Sequence, residues 1–308
     1  MLKKRILAGL GVGMVFGALF ALSFGPVLFI VLLAFSAACQ YEFYALALKG
    51  NYRVYKTLGI VLGSAWLLAE YLFKAPFAAT EAVQSQFPIW STVLLFSILF
   101  IVMVRTMFDE EVNRPFESAS ITFLGVLYVP VLMSYFIRLA QWDVTAPFAM
   151  TRSGVFLVFF MALVVKMSDT GAFAVGTTCA RTIGTHPMFP RISPKKSWEG
   201  LVGGVLTGCL CGALLAMAAK RFQWGPDGVF WASSGVPALT LAEAAVISAL
   251  MVAVGVFGDL IESMFKRGVS IKDSSALFPG MGGLLDVADS LLFAPVCFYF
   301  ALQAALLA

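Results

Sequence analysis

Long apolar segments recur along almost the whole chain, and they constrain its fold more than any other feature. We distinguish about nine of them, each close to the roughly 20 residues that a membrane-spanning helix needs. They cover residues 6–24, 26–48, 57–73, 88–107, 118–139, 152–168, 200–219, 240–258 and 286–307. Apolar residues make up 60% of the chain and charged residues 12%, whereas soluble domains contain about 45–50% and 25%. Because backbone groups in lipid must pair internally, we predict an all-α fold, a polytopic integral membrane helical bundle.

The positive charges predict how these helices are oriented. If the N-terminus is cytoplasmic and the chain crosses about nine times, about three quarters of the 21 Lys and Arg residues lie on the cytoplasmic side, as the positive-inside rule requires. The basic start, Lys3–Arg5, could instead begin a signal peptide, but apolar sequence continues without a cleavage site before a polar domain. We therefore predict a multi-pass protein of a bacterial-type inner (cytoplasmic) membrane, with its functional site on the cytoplasmic side.

Two polar loops distinguish the C-terminal half of the chain from the more uniformly apolar N-terminal half. They span residues 168–200 and 258–285, and both are short and rich in Gly, Pro, Ser and charge. We predict that residues 1–150 form N-terminal transmembrane helices for packing and lipid access. Residues 151–308 then form a C-terminal transmembrane region that carries the two cytoplasmic loops and the functional site.

The segment Gly258–Arg267 concentrates charge at the end of an apolar helix. Asp259, Glu262, Ser263 and Lys266 follow one another at i, i+3, i+4 and i+7, and so share one helix face. Charges near lipid are costly unless they are paired or bind a ligand. The alternative is an ordinary amphipathic helix end with a Glu262–Lys266 ion pair.

Two more acids open the last apolar segment. Asp286 and Asp289 lie at i and i+3, where acids can also simply complement the helix dipole. Asp289, however, is followed by apolar residues, where a carboxylate without a cation is expensive. With Asp259, these acids could surround a hard divalent metal, and we predict all three as ligands of Mg²⁺, with a second cation left open.

The polar loops also supply candidate anion ligands. The glycine-rich turn Pro279–Gly283 permits close backbone approach to a phosphate, although it could be a simple loop. Lys195 and Lys196 could anchor the chain at the membrane surface by contacting lipid headgroups. Because carboxylates from other loops are expected beside them, we interpret these lysines as phosphate ligands. Asp169 is a further ionisable group at the end of an apolar helix.

Several catalytic patterns are missing from the sequence. It contains no Walker A loop, no G-x-S-x-G elbow, no H-E-x-x-H helix and no Ser/His/Asp set. The single histidine, His186, argues against a His-based zinc site, and the five cysteines show no metal-binding spacing. Carboxylates, lysines and glycine turns instead indicate phosphoryl or nucleotidyl transfer by positioning and charge neutralisation.

The same motifs resemble the signature of the phosphatidate cytidylyltransferase (CDP-diacylglycerol synthase) family. The resemblance rests on a downstream set, Ser263–Arg267, Lys272–Asp273, Pro279–Gly283, Leu285–Asp286 and Asp289, and on an upstream set, Ser168–Ala172 and Ile192–Gly200. Two positions differ from the family's usual pattern, with Met281 in place of His and Val287 in place of Arg. Each difference removes a side chain that could contact a phosphate or the nucleotide.

The resemblance implies an activity and a division of roles. The family transfers a cytidylyl group from CTP to phosphatidate, which gives CDP-diacylglycerol and pyrophosphate, with Mg²⁺ as cofactor. It implies Asp259, Asp286, Asp289 and Lys272 as catalytic residues. The substrate-binding residues would be Ser168, Asp169, Ser193, Lys195, Lys196, Ser263, Lys266, Arg267, Gly282 and Gly283.

Other functions stay open at this point. Buried acids also occur in secondary transporters, a related enzyme could transfer the nucleotide of CTP to another lipid, and a non-catalytic relative would only bind lipid. The expected partners are CTP, phosphatidate and membrane lipids, and no nucleic acid is expected. Glycines 9, 11, 13 and 17 of the first segment would allow close helix packing, which is compatible with a homodimer.

Overall fold

The computed structural model describes residues 25–74, 81–142, 152–222, 239–271, 274–275 and 282–307. These residues form helices, apart from one short hairpin and the connections. The helices are α1 Gly25–Lys49, α2 Lys56–Lys74, α3 Glu81–Met107, α4 Pro115–Val126, α5 Leu132–Ala140, α6 Arg152–Thr182, α7 Trp198–Phe222, α8 Leu241–Gly268 and α9 Leu284–Leu307. The first apolar segment, 6–24, lies outside the described residues.

The apolar helices confirm the predicted fold class of a polytopic membrane bundle. Within the described ranges, seven helical spans are long and apolar enough to cross a membrane. One of them joins α4 and α5 through a π-helical turn, Leu127–Val131, where Pro130 lacks the N–H that a regular helix would use. Helix α2 forms where the sequence predicts a short segment, but it is not one of the seven. The chain is a multi-pass membrane protein.

The predicted loop 168–200 is wrong over its first half. Helix α6 continues to Thr182, and threonine hydroxyls along this stretch bond back to carbonyls four residues earlier, so that their polar groups are satisfied within the helix. The remaining connection forms an antiparallel hairpin, β1 Pro187–Phe189 and β2 Ser193–Ser197, which the sequence analysis did not predict. The interpretation of Gly258–Arg267 as a continuation of its apolar helix is confirmed by α8. The predicted loop 258–285 is therefore wrong in its first part, because α8 continues to Gly268.

The helices group into two compact units. The first unit comprises Met1–Met150 and Phe265–Ala288, and the second comprises Thr151–Met264 and Asp289–Ala308. Helices α8 and α9 therefore each contribute to both units.

In the first unit, polar contacts tie α1 to its neighbours. The fully buried Tyr44 on α1 donates to the carbonyl of Thr122 on α4 at 2.6 Å, and Gln40 donates to the carbonyl of Gly59 on α2 at 2.8 Å. The last turn of α8 joins this core, because the ring of Phe265 packs edge-on against Phe43 and Tyr128, with centroids 5.7 and 5.4 Å away.

In the second unit, glycines of α7 let it lie directly against α6. A side chain at Gly203 would collide with Val175, and one at Gly204 would press on the carbonyl of Ser168. Small residues at such spacing are typical of closely packed membrane helices. The hairpin is fixed to the start of α7, because Glu199 accepts hydrogen bonds from the backbone of His186.

Candidate active site

Helices α8 and α9 approach each other at two glycines of the second unit. A Cβ at Gly258 would lie 2.6 Å from the carbonyl oxygen of Asp289, and one at Gly255 would lie 3.1 Å from that of Ser290. The two helix backbones are therefore nearly in contact at this level. This approach brings side chains that follow Gly258 on α8 next to the side chain of Asp289.

Three carboxylates meet at that level and form what we call the acidic cluster. Oxygens of Asp259, Glu262 and Asp289 all lie within 4.8 Å of one another. Glu262 is fully buried and Asp289 nearly so, whereas Asp259 is partly exposed. An all-oxygen donor set of this kind suits a hard divalent cation such as Mg²⁺. The sequence analysis placed Glu262 on the same helix face but did not include it among the predicted ligands.

Lysines of α6 and β2 flank the acidic cluster. The Lys196 ammonium lies 2.8 Å from Asp259 and donates to the carbonyl of Val256 at 2.9 Å. On α6, Lys166 lies 3.4 Å from Asp169 and 3.1 Å from the hydroxyl of Ser290. The sequence analysis did not name Lys166 among the candidate site residues.

The other predicted residues of the second unit have separate environments. Lys195 is exposed, and because side chains alternate along a strand, it faces away from the side on which Lys196 meets Asp259. Ser193 opens the same strand. Ser168 is buried and bonds back to the carbonyl of Val165, while Ser263 donates to Asp259 at 3.3 Å.

Asp286 is the centre of a hydrogen-bond network in the first unit. One of its oxygens pairs with the ammonium of Lys266 at 2.5 Å. The other accepts from the backbone N–H of Ser274 at 2.9 Å, from the Ser274 hydroxyl at 2.8 Å and from the N–H of Gly283 at 2.6 Å. Asp286 thus ties the end of α8 and part of the intervening connection to the start of α9. Its predicted role as a metal ligand stays a prediction.

The two glycines before α9 make room for carboxylates. Gly282 has a positive φ of 90°, and a side chain there would collide with the carboxylate of Asp286. A side chain at Gly283 would collide with Ser274 and with the carboxylate of Glu42. In this structure the N–H of Gly283 is used by Asp286, so the predicted phosphate-binding role of this turn also stays a prediction.

Glu42 on α1 is a site neighbour that the sequence analysis missed. Its buried carboxylate accepts hydrogen bonds from both serines, Ser274 and Ser275, and from the first two N–H groups of α9. A signal was present, because an acid within an apolar segment such as 26–48 points to a functional or paired group by default. It was passed over because the N-terminal helices were assigned to packing and lipid access.

The remaining residues named in the sequence analysis either lie outside the acidic cluster or fall outside the described residues. Arg267 donates to the carbonyl of Ile271 in the turn after α8. Val287, at the position where the family usually has Arg, is buried in the first turns of α9. Lys272 and Met281 lie outside the described residues.

Comparison with known proteins identifies the family. A sequence model described as "Cytidylyltransferase family" matches residues 3–305, which is nearly the whole chain. The chain belongs to the cytidylyltransferase family. This membership makes it a nucleotidyltransferase.

Three curated proteins that this chain resembles carry the name phosphatidate cytidylyltransferase. The protein from Bacillus subtilis is 26% identical over 98% of this chain and 97% of its own length. The protein from Mycobacterium leprae is 28% identical over 94% of this chain and 84% of its own length. The protein from Haemophilus influenzae is 37% identical over 48% of this chain and 46% of its own length.

Proposed function

We propose that this chain transfers a cytidylyl group from CTP to phosphatidate, giving CDP-diacylglycerol and pyrophosphate. The observation that carries the proposal is the similarity to a phosphatidate cytidylyltransferase over almost the full length of both chains. The acidic cluster with flanking lysines, on helices that span the membrane, supports it, because one substrate is a lipid and the other a polyanion.

The reaction joins two negatively charged groups. A phosphate oxygen of phosphatidate attacks the α-phosphorus of CTP, a new P–O bond forms, and the bond to the β-phosphate breaks as pyrophosphate leaves. The attacking phosphate is already ionised near neutral pH, so the site needs positioning and charge neutralisation more than a strong base. The chain offers Lys196 and Lys166 beside the cluster for that neutralisation.

The acidic cluster fits a divalent cation, which we propose to be Mg²⁺. Asp259, Glu262 and Asp289 would hold it, and Asp286 on the same helix as Asp289 is the further predicted ligand. When bound, the ion would offset the negative charge of the triphosphate. We also propose that the cluster opens to the cytoplasm, where CTP is present.

The test is turnover of labelled CTP by the purified protein with phosphatidate in detergent micelles. We expect CDP-diacylglycerol with Mg²⁺, none with EDTA, and loss of at least about a hundredfold in Asp259→Ala. Glu117→Ala is the control, because the contact that Glu117 makes within the described residues is an exposed ion pair with Arg114. Turnover that persists in EDTA, or in Asp259→Ala, contradicts the proposed mechanism, and transfer to another lipid in competition contradicts the proposed substrate.

A further inference from the structure

Glu42 binds the beginning of α9 from a different helix. Its Oε1 accepts from the Ser275 hydroxyl at 2.7 Å and from the N–H of Leu284 at 3.1 Å. Its Oε2 accepts from the Ser274 hydroxyl at 2.9 Å and from the N–H of Leu285 at 2.8 Å. Each carboxylate oxygen thus holds one serine of the connection and one backbone N–H of the helix start.

These contacts satisfy groups that α9 cannot satisfy by itself. The first N–H groups of a helix have no partner within it, and a negative charge near them is favoured by the helix dipole. Such capping usually comes from a residue just before the helix. Here it comes from Glu42, which lies well within α1 and is 7% exposed.

Ser274 connects Glu42 to Asp286. Its hydroxyl lies 2.9 Å from Glu42 and 2.8 Å from Asp286, and its backbone N–H also donates to Asp286. A hydroxyl has one proton to donate, so these two carboxylates share it. The orientation of Asp286, and of the Lys266 ammonium paired with it, therefore depends on how Glu42 holds the serine and the helix start.

We infer that Glu42 is a positioning residue of the active site, which fixes the first turn of α9 and with it Asp286. The inference rests on the proposed function, because it assigns Glu42 a role in cytidylyl transfer through Asp286 and Lys266. It gives the N-terminal helices a part in the chemistry beyond packing and lipid access. Glu42 itself touches neither the acidic cluster nor a substrate in this argument.

The decisive variant is Glu42→Gln, which keeps the size of the side chain. An amide has one acceptor oxygen and one NH₂ group, so in either orientation its NH₂ faces the N–H of Leu284 or of Leu285. The matched control is Glu70→Gln. Glu70 is also a buried carboxylate of the first unit, and it pairs with Arg138 rather than with α9.

Turnover per folded molecule separates positioning from simple stability. We expect kcat of Glu42→Gln to fall about tenfold with a KM for CTP within about threefold of wild type, the size typical of losing an outer supporting contact. Glu70→Gln should retain wild-type kcat per folded molecule even where its thermal midpoint falls. Equal kcat values in wild type and Glu42→Gln, or equal losses in the two variants, overturn the inference.

Hydrogen exchange gives a readout that does not need turnover. Peptides covering residues 282–290 should exchange at least about tenfold faster in Glu42→Gln, because one of the two N–H groups, that of Leu284 or that of Leu285, loses its acceptor, and should stay unchanged in Glu70→Gln. Unchanged exchange at the start of α9 overturns the inference. If wild type makes no CDP-diacylglycerol, the proposed function fails, and the exchange result still decides whether Glu42 holds the helix start.

Discussion

The two adjacent lysines of β2 differ in what they contact. Lys196 lies 2.8 Å from Asp259 with its side chain 20% exposed, whereas Lys195 is exposed on the opposite side of the strand. We predict that Lys196→Met lowers kcat/KM for CTP about tenfold or more, because it removes a cation from the edge of the acidic cluster. Lys195→Met is the comparison and should cost at most about threefold. Steady-state assays at varied CTP check this, and a larger loss at Lys195 would contradict it.

Glu262 differs from the neighbouring acids in being fully buried beside Asp259 and Asp289. Glu262→Gln removes one negative charge and one ligand oxygen without changing the side-chain size. We predict that the Mg²⁺ concentration for half-maximal activity rises about tenfold, and that Mn²⁺ binding measured by electron paramagnetic resonance weakens to a similar extent. Glu243→Gln, near the start of the same helix, is the control and should leave both quantities unchanged. Wild-type Mn²⁺ affinity in Glu262→Gln would exclude Glu262 as a ligand.

At the residue scale, helical spacing was informative only along a single helix. It placed Asp259 and Glu262 on one face of α8, and the structure puts their oxygens together with that of Asp289. Contacts between distant segments could not be predicted in this way. The hydrogen bonds of Glu42 to Leu284 and Leu285 span more than two hundred residues of sequence, and no periodicity encodes them.

Helix ends show the same limit at the scale of the element. Continuous apolar length located the eight predicted segments that fall within the described ranges, because a membrane-spanning helix needs an uninterrupted apolar stretch. It placed the end of α6 too early, at residue 168. The polar residues after Val165 led to the prediction of a loop. In the structure, Gly171 packs against α7, Gly176 packs against the end of β2 and the start of α7, and threonine hydroxyls bond within the helix. Contacts with α7 extend along α6 beyond residue 168, and composition alone does not reveal them.

A buried ion pair joins α2 to α5 and should stabilise the first unit. Arg138 donates two hydrogen bonds to Glu70, at 2.7 and 3.0 Å, and the side chains are 14% and 3% exposed. We predict that Arg138→Met destabilises the fold by about 3 kcal/mol, because it leaves the Glu70 carboxylate buried without its guanidinium. Thermal unfolding followed by size-exclusion chromatography checks this. The double variant Glu70→Met/Arg138→Met should recover most of the loss, and an unaffected single variant would contradict the prediction.

At the scale of the whole molecule, the family match covers nearly all of the chain, although the recognisable motifs occupy only its second half. The contacts of Glu42 offer a physical reason why the family match extends over the N-terminal helices. The start of α9 carries Asp286, yet two of its backbone N–H groups are satisfied by a carboxylate of α1. The first unit contains the N-terminal helices together with the segment 265–288.

Helix α8 is long enough to place its two ends at opposite faces of the membrane. Ala242 lies near its start, and Asp259 follows it by about 25 Å of helix, which is close to the thickness of the hydrocarbon core. The hairpin that carries Lys196 meets α8 at Asp259. The sequence-based orientation therefore predicts that Ile183, which is 80% exposed beside the hairpin, faces the cytoplasm and Ala242 faces the other side.

In a variant with the five cysteines replaced by alanine, a membrane-impermeant maleimide should label Ile183→Cys only in inside-out vesicles and Ala242→Cys only in right-side-out vesicles. The reverse pattern would place the acidic cluster on the face away from cytoplasmic CTP and contradict the proposed sidedness, because a charged nucleotide does not cross the bilayer unaided.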